Sequence, residues 1–135
     1  MTKEEKQKRR EEIIFEKKLE EKDYLGGLAS FNDLSVSKLE QLLSEELAKQ
    51  DECQNEAPSI KDLLDFGKKW EEYDIRFQGY TIHSARGDHR VSLDGICIRS
   101  DDESFSAQFV IDFTNNFRCA DEFELNTHLA RAWFD

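Results

Sequence analysis

The side chains able to do covalent or metal chemistry are few in this chain, and their spacing is poor. Cys53, Cys97 and Cys119 form an odd set with no close pair. A zinc centre drawn from His83, His89, Cys97 and Cys119 would leave five, seven and twenty-one residues between successive ligands. Structural zinc sites instead contain pairs separated by about two to four residues. Cys97, between Ile96 and Ile98, reads as a small buried hydrophobe. Thiolate catalysis needs an exposed cysteine beside an imidazole in an electropositive pocket, whereas an acidic chain raises thiol pKa values. Neither a dinucleotide-type nor a P-loop glycine motif occurs. Asp101-Asp102-Glu103 lacks the spaced carboxylates and glycine of a calcium loop. The expectation is a binding protein with no catalytic residue, metal or cofactor.

Carboxylates remain, and they are abundant: 30 acidic against 19 basic side chains, for a net charge of −11. Residues 1–24 carry eight of each sign, so the whole excess falls on residues 25–135. A body this negative repels phosphate backbones and anionic membranes over a Debye length of about 8 Å and beyond. Direct duplex DNA binding and membrane binding are therefore not expected; a basic protein surface is. Arg76, Arg86, Arg90 and Arg99 read as partners of nearby acids, not as a nucleic-acid patch. The acids gather at Glu45-Glu46, at Glu71, Glu72 and Asp74, at Asp101, Asp102 and Glu103, and at Asp121, Glu122 and Glu124. The last nine are the candidate partner-binding surface. Carboxylates on a rigid domain can occupy the lysines and arginines that ordinarily hold phosphate.

Positioning such a surface requires a folded body, and ten phenylalanines and two tryptophans are enough to build one. Residues 3–23 are rich in Glu, Lys and Arg and predict a charged helix, ended by Gly26-Gly27. Ile13, Ile14, Phe15 and Leu19 are its only apolar residues. The spacing of Val36, Leu39, Leu42, Leu43 and Leu47 predicts a second helix, capped by Ser35, or by Ser37 with Glu40 as a capping box. Ser59 caps a third, in which Ile60, Leu63, Leu64, Gly67 and Trp70 share one stripe. From residue 74 the period falls to two. Ile75, Phe77, Gly79 and Thr81 predict one strand. Val91 and Leu93, then Ile96 and Ile98, predict another, with a phase slip at Asp94-Gly95 that marks a bulge. Phe105, Ala107, Phe109, Ile111 and Phe113 alternate as a third strand. Phe117, Ala120 and Phe123 predict a short helix, and Leu129, Arg131 and Trp133 an edge strand. Phe105, Phe109, Ile111 and Phe113 are expected to pack against Leu39, Leu43, Leu63 and Trp70. The fold class is α+β: N-terminal helices followed by a three- to four-stranded antiparallel sheet with a short C-terminal helix. Residues 1–24 form a charged helical arm and residues 25–135 an acidic α+β domain.

Lys3 to Glu12 is almost wholly charged, so no secretion leader is expected. With no apolar run near the roughly 18 residues of a membrane span, a cytoplasmic location with reduced thiols follows. Two stretches carry a resemblance. Phe77-Gln78-Gly79-Tyr80-Thr81-Ile82 with Asp88 to Ile96, and Ala120 to Leu125 with Arg131-Ala132-Trp133-Phe134-Asp135, resemble small acidic proteins of Gram-positive phages and mobile elements. The likeness covers about the last half of the chain. Some proteins of that kind are anti-CRISPR or antirestriction inhibitors that imitate nucleic acid. The resemblance thus implies an inhibitor that binds the basic nucleic-acid channel of a CRISPR effector or restriction enzyme. The alternative is a non-enzymatic assembly module whose N-terminal helix docks or forms a homodimer.

Overall fold

A computed structural model describes residues 1–135. The first helix, α1 (Lys3–Phe15), opens with a capping box: the Glu5 amide donates to Thr2 Oγ1, and Glu5 reaches back to the Thr2 amide. It ends eight residues before the expected boundary at 23. Glu16 turns left-handed (φ 58°) and closes the helix. A single 3₁₀ turn follows at Glu21–Asp23. Gly26 and Gly27 (φ 63° and 84°) instead form the turn into a strand, β1 (Leu28–Leu34), which the sequence reading did not anticipate.

The next two helices start where the leucine spacing put them, though the first of them ends at Ser44, before Leu47 of the expected stripe. Helix α2 (Val36–Ser44) is capped by Ser35, whose hydroxyl accepts the Lys38 amide. Helix α3 (Ile60–Lys69) is capped by Ser59 at the Asp62 amide. Gly67 lets α3 approach closely: a Cβ there would lie 2.9 Å from Phe77 Cζ. Strands β2 (Asp74–Ile82) and β3 (Val91–Arg99) pair antiparallel, and their register shifts between Gln78 and Gly79. Gln78 faces Gly95 and Gly79 faces Leu93, which leaves Asp94 as the extra residue of the expected bulge.

The segment expected as a third strand is helix α4 (Ala107–Phe117), capped by Ser106 at the Phe109 amide. Phe105, Phe109, Phe113 and Phe117 recur every fourth residue, and all four are buried. Ile111, expected in the core, is 61% exposed. The short helix expected over Phe117 to Phe123 is replaced by a turn and the strand β4 (Glu122–Leu125). Strand β5 (Leu129–Trp133) is present, but it lies between β3 and β4 and not at the sheet edge where it was expected. Instead of three or four strands there are five, all antiparallel, in the order β1-β2-β3-β5-β4.

One core joins these elements. Phe77, Ile96 and Ile98 of the sheet, Leu39 and Leu42 of α2, Leu63 of α3 and Phe109 and Phe113 of α4 belong to a single cluster. Ile13 and Ile14 of α1 belong to the same cluster, each 5% exposed. The apolar side of the N-terminal helix is thus spent inside the chain's own core. No helix is long and apolar enough to cross a membrane.

Candidate functional site

Two of the predicted acidic clusters meet at one end of the sheet. Glu71 and Glu72 lie in the turn after α3, held by the Tyr73 amide donating to the Trp70 carbonyl (3.0 Å). Asp74 begins β2 and stands opposite Arg99, the last residue of β3. The chain then turns through Asp101, Asp102 and Glu103, pinned at several points. The Ser100 amide donates to the His128 carbonyl (3.0 Å), and the Phe105 amide to the Thr127 carbonyl (2.9 Å). The Ser100 hydroxyl donates to the Glu103 carbonyl. The Ser106 amide donates to Tyr73 Oη (3.0 Å), which ties the acidic loop to the acidic turn.

The result is an open cleft of about 360 Å³ between the two segments, lined by Glu72, Asp74, Asp101, Asp102 and Glu103 together with Tyr73, Arg99 and Ser100. All five acids are exposed. Of them only Asp74 forms an ion pair, with Arg76 at 2.9 Å. Glu71 lies on the other side of the turn, in a shallow groove shared with α2. Five carboxylates thus share this cleft with one lining cation, Arg99, and one ion pair, Asp74 with Arg76. Sequence spacing alone could not have shown the two clusters as neighbours, because the β2–β3 pairing brings them together.

The third cluster stands apart. Asp121, Glu122 and Glu124 lie at or on β4, an edge strand, where Glu122 faces Trp133 and Glu124 faces Arg131 across the β5 pairing. Trp133 in turn faces Gly95, whereas Leu129 faces Arg99. Four residue steps of β3, from Gly95 to Arg99, thus separate the Glu122 level from the cleft, on the order of 13 Å along the sheet. Arg131 pairs with Glu122 at 2.8 Å, and Asp121 accepts the Asp135 amide at 2.8 Å. The nine predicted residues do not form one continuous face: five line the cleft, Glu71 lies in the neighbouring groove, and Asp121, Glu122 and Glu124 stand at the β4 edge.

Most of the predicted arginines are held by acids. Arg76 pairs with Asp74, Arg86 grips Asp88 through two bonds (2.9 and 2.7 Å), and Arg90 pairs with Glu52 at 3.0 Å. The Arg86 guanidinium holds the Asp88 carboxyl below its usual range. Arg99 forms no ion pair and lines the cleft. Cys53 and Cys119 are exposed and Cys97 is half-buried, more open than its flanking isoleucines suggested. His83, His89, Cys97 and Cys119 do not converge, and no group of three or more His, Cys, Asp or Glu side chains has the geometry to hold a metal ion.

The charges of α1 hold the least expected result. Glu11 is 3% exposed and accepts from the Leu19 amide (3.1 Å), the Tyr24 hydroxyl (2.7 Å) and Gln7 Nε2 (3.1 Å). This carboxylate gathers the chain that follows the helix. Burial and the Glu11 carboxylate push the Tyr24 phenol well above its usual pKa. In the sequence Glu11 is one charge among sixteen in residues 1–24, and no local pattern distinguishes it. Comparison of the chain with protein-family models, with curated proteins and with solved structures finds no match.

Proposed function

We propose that this chain is a small acidic binding protein whose cleft at the Asp74 end of the sheet engages a basic, nucleic-acid-holding surface of another protein. The carrying observation is the convergence of Glu72, Asp74, Asp101, Asp102 and Glu103 on one cleft with a single ion pair among them. Unpaired carboxylates present acceptor oxygens that Lys and Arg bind in place of phosphate. A rigid support lowers the entropy lost when they are bound. The target class that fits is a cytoplasmic defence enzyme with a basic nucleic-acid channel, such as a CRISPR effector or a restriction enzyme, and the chain acts on it as an inhibitor.

The test is displacement of fluorescently labelled DNA from such an enzyme. Displacement should saturate at one chain per channel and weaken steeply as salt rises, because both partners are highly charged. Glu72→Lys, Asp101→Lys and Asp102→Lys together should abolish it, whereas Asp121→Lys with Glu124→Lys should leave most of it intact. Displacement unaffected by salt and by the cleft reversals would overturn the proposal.

A further inference from the structure

Three side-chain polar atoms in the molecule are buried without a hydrogen-bond partner: Arg10 Nη1, Thr81 Oγ1 and His89 Nδ1. Two of these, from Arg10 and His89, belong to residues lining the same cavity. It has a volume of about 460 Å³ and lies between α1, the α2–α3 connection and the β2–β3 hairpin. Arg10 is 5% exposed. Its Nε donates to the Leu47 carbonyl at 3.0 Å, and no carboxylate pairs with it. A guanidinium does not shed its proton in a protein, so this buried charge calls for an anion. The adjacent Glu11 does not supply one, since its oxygens are taken by Leu19, Tyr24 and Gln7.

The other lining charges divide unevenly. Arg90 is answered by Glu52 (3.0 Å) and Asp88 (3.6 Å), and Glu52 also accepts the Ser92 hydroxyl (3.0 Å). Lys6 and Lys49 have no ion pair, and the only lining acid without one is Glu46. Within a chain of net charge −11, this cavity is locally positive. Burial and then the charges of Arg10, Lys3 and Lys6 depress proton binding at His89, which reports the same field.

We propose that this cavity binds a single small oxyanion of the phosphate type, with Arg10 as its buried anchor and Lys6 and His89 as further donors. A tetrahedral oxyanion can accept from a planar guanidinium fork, an ammonium and a ring nitrogen at once. Glu46, Glu52 and Asp88, which also line the cavity, disfavour a polyphosphate. They leave polar acceptors for hydroxyl groups, and a cavity of this size is within the range of small-molecule sites. The ligand class is therefore a phosphomonoester or free phosphate.

Isotope-labelled protein is titrated with inorganic phosphate and, separately, with glucose 6-phosphate at constant ionic strength, with chloride as control. Saturable shifts are expected at Lys6, Arg10, Lys49 and His89, with no matching response to chloride. Tighter binding of glucose 6-phosphate identifies a monoester site, and tighter binding of inorganic phosphate a free-phosphate site. Arg10→Met should weaken binding roughly tenfold or more. Because it also orphans the Leu47 carbonyl, half-exposed Lys6→Gln serves as the variant that keeps the fold and should weaken binding severalfold. Lack of saturation by either ligand at about 10 mM, or affinity unchanged in Lys6→Gln, overturns the site. Reversing Asp101 and Asp102 should not alter it, so this result stands or falls separately from the acidic cleft.

Discussion

Residues 105–117 allow a direct test of how the core is built, through the pair Phe109→Ala and Ile111→Ser. In a strand the two positions share one face; in α4 they lie about 200° apart around the axis. Phe109 is 0% exposed, and its ring lies 5.0 Å from Tyr73, 5.3 Å from Trp70, 6.1 Å from Phe66 and 4.4 Å from Phe105. Such large, mutually packed rings cannot collapse into the space left by truncation. The loss should fall within the roughly 3–5 kcal/mol typical of a buried Phe→Ala change. A domain of this length has about 7–20 kcal/mol of stability, so the variant should still fold. With an unfolding entropy of about 0.28 kcal/mol/K for this size, its Tm should drop by roughly 11–18 °C. Ile111→Ser touches an exposed side chain and should cost less than about 0.5 kcal/mol, a shift near 2 °C. Thermal and urea unfolding followed by circular dichroism measures both. Comparable losses at the two positions would refute the helical packing.

Two further contrasts test the sheet and its charges. A Cβ on Gly79 would lie 2.0 Å from the Ser92 carbonyl oxygen, so Gly79→Ala must force β2 and β3 apart and should cost more than about 3 kcal/mol. Gly67→Ala meets side chains only, Phe77 at 2.9 Å and Val36 at 3.2 Å; with about 1 kcal/mol of helix propensity in its favour, its net cost should stay below roughly 2 kcal/mol in urea unfolding. Burial pushes the Asp94 carboxyl up, against a hydrogen bond from Trp133. Its folded pKa exceeds the unfolded one, so its favourable contribution exists at low pH and is lost as pH rises through the folded value; Asp94→Asn should be stabilising at pH 7. At Asp112 burial acts upward, but Lys69 (2.9 Å) and the Trp70 indole (2.8 Å) outweigh it and hold the carboxyl below its usual range. That contribution is present above the unfolded pKa and lost as pH falls through the folded one. Asp112→Asn should therefore cost about 1–2 kcal/mol at neutral pH and progressively less as pH falls through the folded value.

What could be read in the sequence depended on whether one period excluded the other. In α2 and α3 the step from Leu39 to Leu42 and from Ile60 to Leu63 and Leu64 fits only a helix, and Ser35 and Ser59 mark the starts. In β3 the phase change at Asp94-Gly95 has no helical explanation, and the bulge lies there. Residues 105, 109 and 113, by contrast, satisfy both a two-residue and a four-residue repeat. Ser106 as a cap and Phe117 continuing the step of four favour the helix, and Ala107 and Ile111 were the misleading positions. Strand β1 escaped notice because its register breaks between Phe31 and Leu34, which hides the alternation. The end of α1 was obscure because a glutamate, not a glycine, adopts the left-handed closing conformation. The candidate cleft was half visible: its acidic segments were evident, their meeting was not.

Net charge and local potential also separate in this molecule, and the fold explains why both can matter. Asp74 and Arg99 sit at one end of the β2–β3 pair, and Val91 sits at the other, with His89 and Arg90 just before it. Seven residue steps of β2, from Asp74 to Thr81, separate the two ends, roughly 24 Å, or about three Debye lengths at physiological salt. The acids of the cleft therefore do little to neutralise the cavity around Arg10, and that cavity does little to weaken the cleft. Summing residues 1–24 to zero hides this, because the arm's charges are not averaged in solvent: Arg10 is buried and bonded to the Leu47 carbonyl, and Glu11 is buried against the Leu19 amide and Tyr24 hydroxyl. A charge becomes chemically informative when burial removes its neighbours' freedom to screen it, and that depends on where α1 docks, not on how many lysines and glutamates it contains.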